Sequence, residues 1–297
     1  MTNLPVAIIG ARGFIGAALS RSLDAAGYRI STFTRTDGWI ETDGSLTQAL
    51  AEARTIIYLA NSINPGIAHQ DPGRAQEDLS TLRAFVEALG RDRGSRRVIL
   101  PSSGGTVYDT TIPPPYTERS AVGPRSAYGA VKLEMEKTLA NSAASGTELS
   151  IVRFSNVYGP GQPVGTGQGV IANWLNAAQL GNDVVMFGPD TVTRDFLYID
   201  DAVDAIRLLV EAPDPPPLVN IGSGRPTTLG ELIHTVTEVV GADHFRVRRL
   251  PARAFDVPHN YLSIDLALDV LGWKPQISLR EGIARTWRWC EDTRMQD

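Results

Sequence analysis

Val6-Ala7-Ile8-Ile9-Gly10-Ala11-Arg12-Gly13-Phe14-Ile15-Gly16 is the stretch whose reading decides the fold. The first four residues are apolar and mostly β-branched, the pattern of a short buried strand. From Phe14 to Ala25, apolar residues recur at three- and four-residue spacing, as on one face of a helix. Three glycines lie at the junction, and each has a physical use. Gly10 permits a tight turn, Gly13 lets backbone N–H groups approach a pyrophosphate, and Gly16 lets the helix pack closely on the strand. The helix N-terminus then favours the anionic phosphates. With 28 glycines in the chain, such a spacing arises by chance on the order of 0.2–0.3 times, so the glycines alone say little. Their position between a strand and a helix gives the motif its weight, and it points to a dinucleotide.

Working outward, strand signals recur at Tyr28–Thr34, Thr55–Ala60, Arg97–Leu100 and Leu149–Phe154, with helical patterns at Leu79–Leu89 and Val131–Leu139. Strands alternating with helices predict βαβ units: an α/β fold with a doubly wound parallel sheet of the Rossmann type. After about residue 160 the pattern loosens into a breaker-rich loop, Gly159-Pro160-Gly161-Gln162-Pro163 followed by Gly165, Gly167 and Gly169. Beyond it come a helix near Val170–Leu180, a strand at Val184–Phe187, a proline-rich turn at Pro213–Pro217, and helices at Leu229–Val240 and Leu279–Cys290. The chain therefore divides into a dinucleotide-binding domain over 1–165 and a smaller mixed α/β lobe over 166–297, with some segments of the second returning to the first.

Composition excludes several functions. The 297 residues carry a net charge of −5, which argues against a nucleic-acid polymer as partner. No apolar run approaches the ~18 residues that span a bilayer. Met-Thr-Asn-Leu-Pro lacks the basic segment of a signal peptide. The single cysteine, Cys290, excludes an intrachain disulfide, and a cytoplasmic protein is expected. His69, His234, His244 and His259 have no metal-ligand spacing, so no metal is expected. Only three lysines occur (Lys132, Lys137 and Lys274), which makes any lysine at a motif position informative.

One of them sits in Tyr128-Gly129-Ala130-Val131-Lys132, where a tyrosine and a lysine at i and i+4 share a helix face. A neighbouring ammonium and a nicotinamide cation would both lower the phenol pKa, making Tyr128 a general acid/base poised for hydride chemistry. The choice of dinucleotide is read from the end of the second strand. An NAD site places a carboxylate there for the adenosine ribose. Here the strand runs into Thr34-Arg35, without a carboxylate and with an arginine suited to a 2′-phosphate, which leans toward NADP over NAD. Asp43 could meet the adenine edge or serve only a turn.

Together, the glycine loop and Tyr128-x-x-x-Lys132 resemble the extended short-chain dehydrogenase/reductase superfamily. Within it, the chain is most similar to the NAD(P)-dependent nucleotide-sugar epimerase, dehydratase and reductase branch, of UDP-glucose 4-epimerase type. The resemblance extends through Leu100–Tyr108, Arg153–Gln162, Arg194–Asp201, Asn220–Gly224, Arg253–Pro258 and Leu271–Pro275. It implies a nucleotide-diphosphate sugar as substrate, with Ala60 and Asn61 along the cofactor path. Asn156 and Phe187 would lie on the substrate side, and Arg194 and Arg253 would clamp the diphosphate. A homodimer is common in the family, and the helices Leu79–Leu89 and Val131–Leu139 would suit a two-fold pairing.

The chain departs from that pattern at Gly104, where the family carries a catalytic hydroxyl. The hydroxyl must come from Ser103 or Thr106. Alternation along an extended segment favours Thr106. The next positions, Gly105 and Thr106, are not ionisable, so the acidic groups used for dehydration or decarboxylation are missing and hydride transfer at sugar C4 remains. An epimerase would run it in both directions on NAD, and a 4-ketoreductase in one direction on NADPH. The epimerase is the expected activity. A non-catalytic dinucleotide sensor, which would lack the Tyr–Lys pair, stands as the alternative of another class.

Overall fold

The first strand is buried along its whole length, and its side chains alternate between two apolar clusters. Val6 and Ile8 pack with Leu19 and Leu23, whereas Ala7 and Ile9 pack with Leu82 and Phe85. A strand wetted on neither face belongs inside a sheet that is covered twice. The computed structural model describes residues 4–92, 94–142, 146–252 and 257–294 and places the strand so.

In chain order the elements begin β1 (Val6–Ile9), α1 (Phe14–Ala25), β2 (Ile30–Phe33), α2 (Gln48–Ala51), β3 (Thr55–Tyr58), α3 (Pro65–Gln70), α4 (Pro72–Arg91) and β4 (Arg96–Ser103). They continue with α5 (Ala127–Ser142), β5 (Thr147–Phe154), β6 (Asn156–Tyr158), α6 (Val170–Gln179), β7 (Val184–Phe187), β8 (Thr193–Arg194), β9 (Phe196–Tyr198) and α7 (Ile199–Glu211). The last are β10 (Leu218–Ile221), β11 (Thr227–Thr228), α8 (Leu229–Val240), β12 (Val247–Leu250), α9 (Asp265–Leu271) and α10 (Leu279–Arg294).

Six strands form one parallel sheet in the order β2-β1-β3-β4-β5-β10. The order reverses between β1 and β3, and a ligand crevice opens beyond the carboxyl ends of the strands at such a switch point. Helices α1 and α7 cover one face, and α4 and α5 the other. This is the Rossmann-type α/β fold, with a smaller lobe built from α6, α8, α10 and three two-stranded ribbons. Among the described residues, the lobe shares its core with the sheet. Trp174, Leu232 and Trp273 belong to the same cluster as Val6 and Leu19, and β10 and α7 return to the sheet.

The structure adds what the periodicity missed. β4 runs on through Pro101 to Ser103, carried by its pairing with β5, so its end reaches the crevice. α4 starts at Pro72, with the Asp71 side chain accepting from Arg74 N at 3.3 Å as its N-cap. The apolar faces of α4 and α5 pack within the chain. Leu79, Leu82, Phe85, Met135 and Leu139 are buried against its own sheet, and Gln76, Glu77, Ser80, Arg83 and Glu87 face outward. No helix among the described residues is long and apolar enough to cross a membrane.

Candidate active site

A cavity of about 410 Å³ opens at the carboxyl ends of β1, β3 and β4, where the sheet order reverses. The glycine loop forms one wall. Gly10 has φ +93°, and a Cβ there would lie 2.8 Å from the Leu59 carbonyl carbon. A Cβ on Gly16 would sit 2.2 Å from the Gly10 carbonyl oxygen, so only glycine lets α1 start this close to the strand. Gly13 caps α1 without a side-chain acceptor, so backbone N–H groups of the first turn, at Phe14, Ile15 and Gly16, are left for an anion in the cavity.

The far wall holds polar atoms with nothing to bond. Asn61 Oδ1, Ser62 Oγ and Gln162 Oε1 are buried without partners, and all three residues line the cavity, as does Ala60. Buried polar groups are rarely left so. A close-packed phosphate cradle together with orphaned hydrogen-bonding groups fits a dinucleotide. Sequence reasoning missed Ser62 and Gln162. Gln162 ends the resembling segment Arg153–Gln162, but the sequence does not single it out as a site residue, and nothing local to Ser62 points to the cavity.

At the end of β2 the structure adds a group the sequence reading did not name. Asp37 turns back onto the strand end, its Oδ2 accepting from Thr34 N and Thr34 Oγ1, each at 2.7 Å. Those bonds from Thr34, with the Arg12 guanidinium nearby, hold its carboxyl below the usual range. A carboxylate thus does stand beside the glycine loop, three residues later than expected, among the exposed Arg12 and Arg35. Asp43 closes a turn by accepting from Ser45 N and Oγ at 2.8 and 2.6 Å and is not part of the cavity wall.

Tyr128 and Lys132 project into the cavity from the first turns of α5. The Lys132 ammonium lies 5.7 Å from the centre of the tyrosine ring. Burial pulls the lysine down to about 8, opposed by the charges of Asp78 and Glu136. The tyrosine was expected to be acidified, but burial, and then the Asp78 carboxylate, push its phenol up. In a buried pair the loss of hydration outweighs the neighbouring cation, so the phenol is held protonated.

Ser103, at the end of β4, lines the same cavity. Thr106, favoured by alternation, does not: its Oγ1 is buried without a hydrogen-bond partner. The chain turns after Ser103, with Thr106 N and Val107 N both donating to Ser103 O at 3.3 Å, so extended-strand alternation does not continue to Thr106. At Gly104 a Cβ would meet the Leu262 methyls at 2.7 and 2.8 Å, so a side chain there would require Leu262 to shift.

Behind the pair, Glu136 is gripped by Arg153 through Nε at 3.1 Å and Nη2 at 2.6 Å, and it also accepts from Ser102 Oγ. The Arg153 guanidinium lies over the Tyr108 ring at 4.8 Å, and Tyr108 donates to Asn220 Oδ1 at 2.7 Å. Asn156, Phe187 and Arg194, assigned to the sugar nucleotide, are not part of the cavity wall. Asn156 donates through Nδ2 to Asp195 O at 2.9 Å, and Arg194 donates to Thr193 O and Val257 O at 2.8 and 2.7 Å. Phe187 ends β7, partly exposed. Arg253 lies outside the described residues.

A family model described as the NAD dependent epimerase/dehydratase family matches residues 6–222. The UDP-glucose 4-epimerase of Mycolicibacterium smegmatis is 33% identical over 94% of this chain and 96% of its own. The dTDP-6-deoxy-L-talose 4-dehydrogenase (NAD(P)(+)) of Kitasatospora kifunensis is 27% identical over 95% and 94%. Among solved structures, the Thermotoga maritima UDP-glucose 4-epimerase with UDP-glucose superposes with a TM-score of 0.87 at 27% identity, covering 98% of this chain and 99% of that one. A glycine cradle for a dinucleotide, a buried tyrosine and lysine beside it, and similarity along nearly the full length lead to one conclusion: the chain belongs to the NAD dependent epimerase/dehydratase family.

Proposed function

We propose that the chain is a nucleotide-sugar 4-epimerase working with NAD, with Tyr128 as its acid–base group. The observation that carries this reading is that Ser103, Tyr128 and Lys132 share one cavity with the glycine loop. The first turn of α1 holds the cofactor's pyrophosphate, with Ala60, Asn61 and Ser62 along its path. Bound NAD supplies the hydride acceptor and donor at sugar C4.

The chain's own part is proton handling and placement. Tyr128 Oη takes the proton of the sugar O4 hydroxyl and later returns it. Burial keeps the phenol protonated, so Tyr128 is an acid at rest and becomes a base when positive charge enters the cavity. The Lys132 ammonium stabilises the phenolate that results. Ser103 Oγ hydrogen-bonds O4 in place of the hydroxyl absent at Gly104, and Thr106 is relieved of that role. Asn156, Phe187, Arg194 and Arg253 remain proposed contacts of the sugar nucleotide. Dehydration and decarboxylation stay disfavoured because Gly105 and Thr106 bring no acid to the sugar.

Asp37 supports NAD, since a carboxylate at the end of β2 accepts from ribose hydroxyls and repels a 2′-phosphate. The exposed Arg12 and Arg35 favour the second reading, an NADPH-dependent 4-ketoreductase. The cofactor carried through purification separates them: retained NAD(H) supports the epimerase, and a site that exchanges NADPH supports the reductase. Incubating the protein with UDP- and dTDP-hexoses should give C4 epimers, and Tyr128→Phe should abolish that turnover while still binding cofactor. Residual epimerisation by Tyr128→Phe above about 1% would refute the assignment, since loss of a general acid–base group costs roughly 10²–10⁴-fold.

A further inference from the structure

Lys132 presents a problem of charge that the Tyr–Lys couple does not solve by itself. It is buried, and among the described residues no carboxylate pairs with it directly. A buried ammonium without a counter-charge gives up its proton. Two carboxylates act on it from further away, Asp78 and Glu136. Glu136 is one helical turn along α5, but its charge is already answered by the two-pronged bond from Arg153. Asp78 is different. It stands on α4, three residues beyond Ala75, which packs in one apolar cluster with Tyr128, so both face α5. Its Oδ2 accepts from the backbone N–H of Ser62 at 2.8 Å, which fixes the carboxylate beside the cavity wall. That partner is a neutral amide, so the negative charge of Asp78 is uncancelled.

We propose that Asp78 is a positioning residue of the Tyr128–Lys132 couple, a carboxylate pinned on Ser62 that keeps Lys132 an ammonium ion at neutral pH. Its charge reaches Tyr58 on β3 as well as Tyr128 and Lys132, and it opposes ionisation of both phenols. The same carboxylate therefore holds both members of the couple in their protonated forms, with Tyr128 ready to donate and Lys132 ready to stabilise the phenolate. The inference rests on the proposed role of that couple.

The scarcity of lysine makes the test direct. Protein labelled with [ε-¹³C]lysine gives three signals, which Lys137→Arg and Lys274→Arg assign. In the wild type the Lys132 signal should titrate near pH 8. In Asp78→Asn, which keeps an acceptor for Ser62 N–H, the midpoint should fall by about one pH unit, the size of a nearby charge's effect. The Lys137 and Lys274 signals should not move. Asp78→Ser, with its hydroxyl as acceptor, should behave alike and serves if the asparagine variant does not fold. A Lys132 midpoint that is unchanged or higher in the folded variant overturns the proposal. The titration uses neither cofactor nor sugar, so a protein that epimerised nothing would refute the proposed reaction and leave this result to stand or fall alone.

Discussion

Replacing Lys132 with methionine should abolish turnover and yet stabilise the fold. The lysine titrates near 10.5 when hydrated and is pulled down to about 8 in the folded chain, chiefly by burial. A folded-state pKa below the unfolded one means that the unfolded chain binds the proton more tightly. The native state is therefore penalised below pH 8, and the penalty fades as pH rises toward 10.5. At about 1.4 kcal/mol per pKa unit, the depression corresponds to about 3 kcal/mol at pH 7 and under about 1 kcal/mol at pH 10. Methionine has a similar length and no charge to desolvate, so it removes the penalty without leaving a large cavity. Asp78 loses a cationic neighbour in the exchange, which makes about 3 kcal/mol an upper bound. Urea unfolding of the two proteins at pH 7 and pH 10 reads the difference directly, because every other titrating group is common to both. The wild type should unfold at lower urea at pH 7, and the gap should narrow at pH 10. A methionine variant less stable at pH 7, or a gap independent of pH, would refute the claim that burial of the ammonium sets its pKa.

The buried ion pair behind the site should behave in the opposite way. Arg153→Met leaves the Glu136 carboxylate buried and unanswered, and urea unfolding should show a loss of about 3–5 kcal/mol, against about 0.5 kcal/mol for Arg249→Met at the exposed pair with Asp190; equal losses would mean that burial does not set the strength of either. At the other end of the cavity, Asp37→Asn should raise affinity for NADP relative to NAD by roughly fivefold, the effect of removing one like charge near a phosphate in water, and calorimetric titration with both cofactors would show no change in the ratio if Asp37 faces away from the ribose.

The parts legible in the sequence share one property, which is that their geometry is set within a few residues. The strand, glycines and helix of Val6–Ala25 lie consecutively, and backbone sterics alone require glycine at positions 10 and 16. Tyr128 and Lys132 are one helical turn apart, so a correct helix assignment places both on one side. Ser103 and Thr106 show where this kind of inference stops. Alternation holds only while the backbone stays extended, and β4 ends at Ser103, whose carbonyl already accepts from Thr106 N and Val107 N. That local turn leaves Thr106 outside the cavity wall, against a preference argued from side-chain direction.

What the sequence hid was charge brought together over distance. Asp78 acts on Lys132 across 54 positions and Arg153 grips Glu136 across 17, and neither pairing has a local spacing to betray it. The segment Arg194-Asp195-Phe196 makes the same point from the other side. Its arginine attracts notice as a phosphate ligand, yet it is the wholly buried Asp195 beside it that ties the site's elements together. Asp195 accepts from Ser223 N and Oγ at 2.7 Å and from Leu262 N at 3.2 Å, while its carbonyl receives Asn156. Three chain segments from both lobes converge on this one residue, two of them on its carboxylate, whose burial raises its pKa while the Ser223 and Leu262 donors act to lower it. A side chain with that many donors has no freedom to serve a ligand, so the part Asp195 plays in this segment follows from its burial: it fixes the frame.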